Sequence, residues 1–336
     1  TTQELPHGVH LVGSVPLFSA EEVFRTVSSI LGHRLRRIPD GETGERKDWI
    51  NWQMKFMSNN PSLEAVYPNG RDYVNRPRFK MISSDIHFDY LGYADIAIDS
   101  YAIFARLKEA GIIPANSRFQ VSLPTPLAPV ISFIELQDQA EVEPAYAAGL
   151  FAELDKIAAA IPHDELALQW DTAIEFALWE EVMPSFFTNT KMGILARLIQ
   201  LGNRVPRGIE LGYHLCYGDA GHKHFTQPKD TTNLVEVANA ISTGVKRSVN
   251  WIHMPVPRER TDDAYYAPLQ HLHLQPETEL YLGLIHLTDG VEGARRRIAA
   301  AQQRIMVDFG VATECGFGRR PKETVQDLLR IHRVQW

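Results

Sequence analysis

His214 and Cys216 stand two residues apart, and the sequence holds one further cysteine, Cys315, about a hundred residues on. Residues two apart in an extended segment project to the same face, so this imidazole and thiol present two donor atoms toward one point. Zinc takes imidazole nitrogen at about 2.0–2.1 Å and thiolate sulfur at about 2.3 Å, and a catalytic zinc site keeps a position open beside three protein ligands. His-x-Cys with a distant cysteine supplies three. By itself the pattern is weak, and the two cysteines could instead close one long-range disulfide, although two thiols are not the dense framework of small secreted domains. Other histidine pairs, His222-Lys223-His224 and His271-Leu272-His273, share metal-like spacing but lie in loop sequence, and Asp85-Ile86-His87-Phe88-Asp89 suits a segment over a substrate. Arg319-Arg320, after Cys315-Gly316-Phe317-Gly318, could clamp a carboxylate or phosphate or simply begin a solvated helix.

These residues need a scaffold that brings distant segments together. Short β-branched or apolar runs alternate with longer amphipathic stretches, the pattern of βα units around a parallel sheet. The spacing predicts eight strands, near His10–Val15, Leu35–Asp40, Phe119–Leu123, Ala167–Asp171, Gly208–His214, Val249–His253, Leu280–His286 and Val311–Cys315. Helices are expected at Ala20–Leu31, Ile96–Ala110, Glu143–Ala160, Asn233–Val245, Val291–Gln303 and Glu323–Ile331. Eight units without a linker fit one α/β domain over residues 1–336, a single (β/α)8 TIM barrel. Residues 58–86, with turns at Asn59-Asn60-Pro61, Pro68-Asn69-Gly70 and Arg76-Pro77, read as an insertion or lid after strand two. A doubly wound nucleotide-binding sheet fits poorly, because Gly13-Ser14-Val15-Pro16 carries no glycine-rich phosphate loop.

In a barrel the C-terminal strand ends converge on one pocket, and here they are polar. They carry Ser14, the Asp40-Gly41-Glu42 run with Glu45, Asp171 with Glu175, His214-Leu215-Cys216, His253, His286 with Asp289, and Glu314-Cys315-Gly316. Both cysteines fall at strand ends, a coincidence that a disulfide does not require.

Composition narrows the partners. The chain has 336 residues with 34 Lys plus Arg against 41 Asp plus Glu, a net charge of −7, which disfavours nucleic acid or an anionic membrane as principal ligand. No apolar run approaches the roughly 18 residues of a membrane span, and the start, Thr1-Thr2-Gln3-Glu4-Leu5-Pro6, lacks a leader pattern, so a cytoplasmic protein is expected.

Val12-Gly13-Ser14-Val15-Pro16, Glu45-Arg46-Lys47-Asp48, Gln169-Trp170-Asp171, His214-Leu215-Cys216-Tyr217, Ile285-His286 and Cys315-Gly316 followed by Arg319 together resemble the catalytic half of cobalamin-independent methionine synthase. The resemblance spans nearly the entire chain, and its specific parts are the His-x-Cys-Tyr and Cys-Gly segments. It implies zinc held by His214, Cys216 and Cys315, with Asp171 and Glu45 gripping a substrate amino group, Ser14 beside that substrate, and His286 as an acid–base group near the leaving atom. The wider superfamily opens epoxides with thiols and includes metal-free uroporphyrinogen decarboxylases. Two departures stand out. The family's additional zinc ligand, a glutamate at the end of strand six, is matched here by His253, which either joins the metal ligands or sits off the metal and leaves a three-ligand site with an open position, and the family's N-terminal folate-holding half has no counterpart in this sequence.

Two thiolates with a carboxylate give zinc a net −1, whereas two thiolates with neutral imidazoles give 0, a site that acidifies a bound thiol further but leaves it less electron-rich. The expected activity is therefore zinc-dependent transfer of an alkyl group, from a methyl donor or an activated electrophile such as an epoxide, to a small-molecule thiol. A zinc-dependent lyase or hydrolase acting through a metal-bound water or substrate oxygen remains an alternative, as does a non-catalytic zinc-binding barrel. Ordinary capping roles fit Glu45 and Ser14 as well, and a core position fits His286.

Overall fold

The computed structural model describes residues 7–67, 77–220, 223–318 and 320–333. Its centre is a seven-stranded parallel sheet in the order β1 (Arg37–Pro39), β4 (Arg118–Pro124), β5 (Leu166–Thr172), β6 (Glu210–Leu215), β7 (Trp251–Pro255), β8 (Glu279–Ile285) and β9 (Phe309–Thr313). The strands β2 (Leu63–Val66) and β3 (Arg78–Met81) form a separate antiparallel pair. Eleven α-helices among the described residues complete an α/β fold.

Strands of a parallel sheet are covered on both faces, so they read as near-continuous buried runs. All seven residues of β5 are buried, yet side chains still alternate. Trp170 turns to a helix, donating its indole N–H to Leu201 O at 3.1 Å, whereas Gln169 and Asp171 take the opposite, concave face. The sheet is curled: Trp251 Nε1 on β7 donates to Gln169 Oε1 on β5, two strands away, at 3.2 Å, and His253 on β7 reaches Thr313 O on β9 at 2.8 Å. Gly212, between them on β6, is required by this curvature, because a Cβ there would lie 1.8 Å from Trp251 Cε2. Beneath, Ala167, Trp251 and Tyr281 form a small apolar layer apart from the main core. Arg37 closes the N-terminal end, its guanidinium 4.2 Å from the Trp251 ring centroid and paired with Glu210 and Glu279 at 3.0 and 2.9 Å.

The flanking helices follow their sequence signals. Ala20–Leu31 begins at the N-cap Ser19, whose side chain accepts from Glu22 N–H, and buries Ala20, Val23, Phe24, Val27 and Leu31 on one face. Tyr93–Glu109, Gln139–Ala160, Thr232–Gly244, Gly290–Gln302 and Val325–Ile331 fall where periodicity places helices, with shifted ends. Leu127–Phe133 and Thr190–Arg204 were not expected. The former is a short, largely apolar run containing Pro129, with Ser132 its only polar residue and no polar face to show a helical period.

One strand differs from expectation. Residues 10–15 form no strand, but the segment around them touches both edges of the sheet: Val9 bridges Leu35, ahead of β1, and also Val311 on β9, and Ser14 bridges Gly41. His7 and His10 N–H groups donate to Phe309 O and Val311 O at 2.7 and 2.9 Å. The ladder in the sheet proper is thus seven strands, not eight. Part of the 58–86 insertion forms the β2–β3 pair, with Phe79 bridged to Ile134; its Pro68-Asn69-Gly70 and Arg76-Pro77 turns involve residues outside those described.

Candidate metal centre

The sheet register sets the site. Asp171, His214 and His253 are successive Cα partners on β5, β6 and β7, so their side chains leave the same face at one level. Cys216 lies one residue past β6 and Cys315 two past β9. The Nε2 or Nδ1 of His214 and the sulfurs of Cys216 and Cys315 all lie within 4.8 Å of one another. The two sulfurs are 3.8 Å apart and both cysteines are free, so the disulfide reading does not hold. Gly218, at φ 87, turns the chain back so that its N–H donates to Cys216 Sγ at 3.2 Å.

Hydrogen bonding assigns the nitrogens. Thr313 O can only accept, so His253 Nε2 carries a proton and donates to it at 2.8 Å. The bare Nδ1 of His253 then accepts from His214 Nδ1, 2.7 Å away. His214 Nε2 is left with its lone pair, buried and without a hydrogen-bond partner. Burial, then the neighbouring His253 and His10, hold the His214 pKa well below the ordinary histidine value, and burial takes His253 down to about 4. The contact with Cys216, then burial, hold the Cys315 thiol well above its ordinary range. A bare imidazole nitrogen and two adjoining sulfurs form a donor set suited to a soft divalent cation. The residues present therefore fit zinc.

Beside this centre lies a carboxyl pair. Asp171 Oδ1 accepts from Gln169 Nε2 at 2.9 Å, and Trp49 also donates to its carboxyl. Burial first, then the nearby Glu42, raise the Asp171 pKa well above the carboxylate range. Glu42 is pushed up to about 7 by burial, with Arg46 opposing and Asp40 adding. Glu45, the carboxylate singled out from the sequence, is 58% exposed and paired with Lys55 at 3.1 Å. The chain takes a positive φ of 49° at Glu42 and a 3-10 turn over Gly44–Asp48, which present Glu42 inward and Glu45 outward.

Ser14 joins the first segment to the loop after Cys315: its Oγ accepts from Gly318 N–H at 3.1 Å and its carbonyl from Phe317 N–H at 2.8 Å. His286 Nε2 donates to Val256 O at 2.8 Å and lies 3.5 Å from Glu314 Oε1. Burial lowers the His286 pKa, partly offset by Glu314. The other Glu314 oxygen meets His224 Nε2, and although burial opposes it, that bond raises the His224 pKa. His224 and Glu314 were quoted from the sequence without such a role, and His10, which bonds Gln169 Oε1 at 2.7 Å, carried no motif at all. Asp289 is held by Arg297 at 2.6 Å. His87, His271 and His273 are exposed, and Arg319 and His222 lie outside the described residues.

No protein-family model and no curated protein matches the chain. Its fold is shared with solved structures of cobalamin-independent methionine synthase-like proteins and a methyltransferase. A Shewanella sp. W3-18-1 B12-independent methionine synthase, solved with selenomethionine, superposes with TM-score 0.65 at 14% identity, covering 98% of this chain and 96% of that one. A Listeria monocytogenes protein described as a vitamin-B12-independent methionine synthase gives TM-score 0.60 at 15% identity, covering 100% and 99%. A methyltransferase from Methanosarcina mazei gives 0.55 at 9%, covering 99% and 94%. At such identities the shared property is the fold.

Proposed function

We propose that this chain is a zinc-dependent transferase that moves an alkyl group onto a small-molecule thiol. The observation that carries the reading is the convergence of His214, Cys216 and Cys315 within 4.8 Å, from segments far apart in sequence. These three residues would hold the ion, and zinc there would favour the thiolate form of a bound thiol. The selenomethionine bound in the Shewanella structure supports a sulfur-bearing amino acid as the class of substrate.

The chain's own groups supply the rest. Asp171, buried, and Glu42, half-buried, repel each other and gain most from an ammonium group placed between them, which would keep both ionised. Glu42 thereby takes the part that the family resemblance gives to Glu45. Ser14 and Arg319 remain proposed substrate contacts, Ser14 through the loop it anchors beside Cys315. His286, with Glu314 behind it, would pass a proton to the departing oxygen or nitrogen. The segment through Ser14 would act as the eighth stave of a closed (β/α)8 barrel, a single domain over residues 1–336, with residues 58–86 as its lid. An activated donor, such as a sulfonium or a strained ring, suits this site better than a folate methyl amine. Among the described residues no helix is long and apolar enough to cross a membrane.

The purified protein should carry about one zinc per chain, and Cys216→Ser or Cys315→Ser should lose most of it. A thiol-consumption assay across donors should show turnover with an activated electrophile. Full zinc retention in both variants, or efficient methionine formation from methyltetrahydrofolate, would count against the respective parts of the proposal.

A further inference from the structure

The position that the family resemblance gives to a fourth ligand, a glutamate, is held by His253, whose ring is fully buried and already has both nitrogens in use. Its Nε2 donates to Thr313 O, and its Nδ1 faces His214 Nδ1 at 2.7 Å. The ring cannot turn toward the sulfurs without leaving one of these partners, and it packs against His214 and His10 with centroids 4.8 and 5.9 Å away. Among the described residues, the donor atoms that gather within 4.8 Å of one another are those of His214, Cys216 and Cys315, without His253.

We propose that His253 is a positioning residue that stays off the metal and fixes the tautomer of His214. The proposal rests on the reading of the centre as a zinc site and specifies how that site is built. Because Thr313 O accepts only, it forces the proton of His253 onto Nε2. That leaves Nδ1 bare, and the bare Nδ1 forces the proton of His214 onto its own Nδ1. His214 Nε2, the buried atom with no hydrogen-bond partner, is then the only one of these four nitrogens free to bind an ion. The same relay ties the strands that deliver the ligands: His214 leaves β6, and Thr313 ends β9, where its hydroxyl donates to Cys315 O at 2.5 Å. A hydrogen-bonded partner behind a ligating histidine orients the ring and strengthens the ligand, and its loss costs roughly 10–100-fold in metal affinity.

The consequence for the chemistry is a centre of three protein ligands. Two thiolates and one neutral imidazole balance a divalent ion to zero charge, and the place of the family's carboxylate is left to the substrate.

The test is zinc K-edge X-ray absorption on the wild-type protein, with zinc affinity measured by chelator competition on His253→Asn and His253→Leu. Asparagine keeps an oxygen acceptor where Nδ1 stood, and leucine keeps none. The expected shell contains two sulfurs and one imidazole, with any further scatterers oxygen. Affinity should stay within a few-fold of wild type in His253→Asn and fall about 10–100-fold in His253→Leu. A wild-type shell with two imidazoles overturns the proposal even if both variants fail to fold, and so does equal loss of affinity in the two variants. Absence of zinc binding in the wild type, or full zinc retention in both Cys216→Ser and Cys315→Ser, overturns the zinc reading itself and this proposal with it.

Discussion

Glu175 offers a measurement that isolates the electrostatics of the buried end of the sheet. It follows β5 and is 2% exposed; Thr125 Oγ1 donates to its Oε2 at 2.6 Å, while Oε1 has no hydrogen-bond partner among the described residues. Burial raises its pKa from 4.5 to about 7, with the Thr125 bond opposing. A folded-state pKa above the unfolded one means that the native protein retains a proton the unfolded chain has released. The contribution to stability is therefore complete below about pH 4.5 and is lost as pH rises through about 7. At ~1.36 kcal/mol per unit, the whole loss is about 3 kcal/mol, of which about 2–3 kcal/mol falls between roughly pH 5 and pH 8. Glu175→Gln keeps an oxygen for Thr125 and does not titrate. Urea unfolding of both proteins at the two pH values, with equal denaturant slopes, should show the variant gaining about 2–3 kcal/mol on wild type as pH rises. A stability difference that stays constant across this range would refute the assignment of a neutral, buried Glu175.

Three further outcomes follow from the site and its support. Glu42→Gln should weaken an amine-bearing thiol substrate on the order of tenfold to a hundredfold in KM, the cost of losing a charged hydrogen-bond partner, whereas Glu45→Gln should change it less than about twofold. Steady-state kinetics on the two variants decides between the carboxylates. His286→Ala should lower turnover in the thiol-consumption assay while zinc content, measured in parallel, stays at the wild-type level; an unaffected rate would remove His286 from the reaction. Gly212→Ala would put a methyl group 1.8 Å from Trp251 Cε2, so the indole must move and lose its bond to Gln169; thermal unfolding should show a loss of at least about 1–3 kcal/mol.

The donor types were legible in the sequence because chemistry depends on residue identity: one histidine two positions before a cysteine, and one more cysteine, can be read without any fold. The alternation of strands and helices was legible for an equally local reason. Parallel strands covered on both faces read as short apolar runs, and the amphipathic stretch Ala20–Leu31 reads as a helix whatever lies around it. What the sequence could not decide were questions of direction and partnership. Glu42 and Glu45 are three residues apart and chemically alike, and a positive φ followed by a 3-10 turn determines which of them faces Asp171. Residues 10–15 have a strand's composition, yet whether they form a ladder depends on two sheet edges assembled from segments hundreds of residues apart. His253 shows the limit most clearly. A histidine at a strand end is equally a ligand or a support until its nitrogens meet their partners, and those partners, His214 and the carbonyl of Thr313, come from other strands 39 and 60 residues away. Spacing along the chain fixes which atoms are available, and only the packing of distant strands fixes which lone pair is left free.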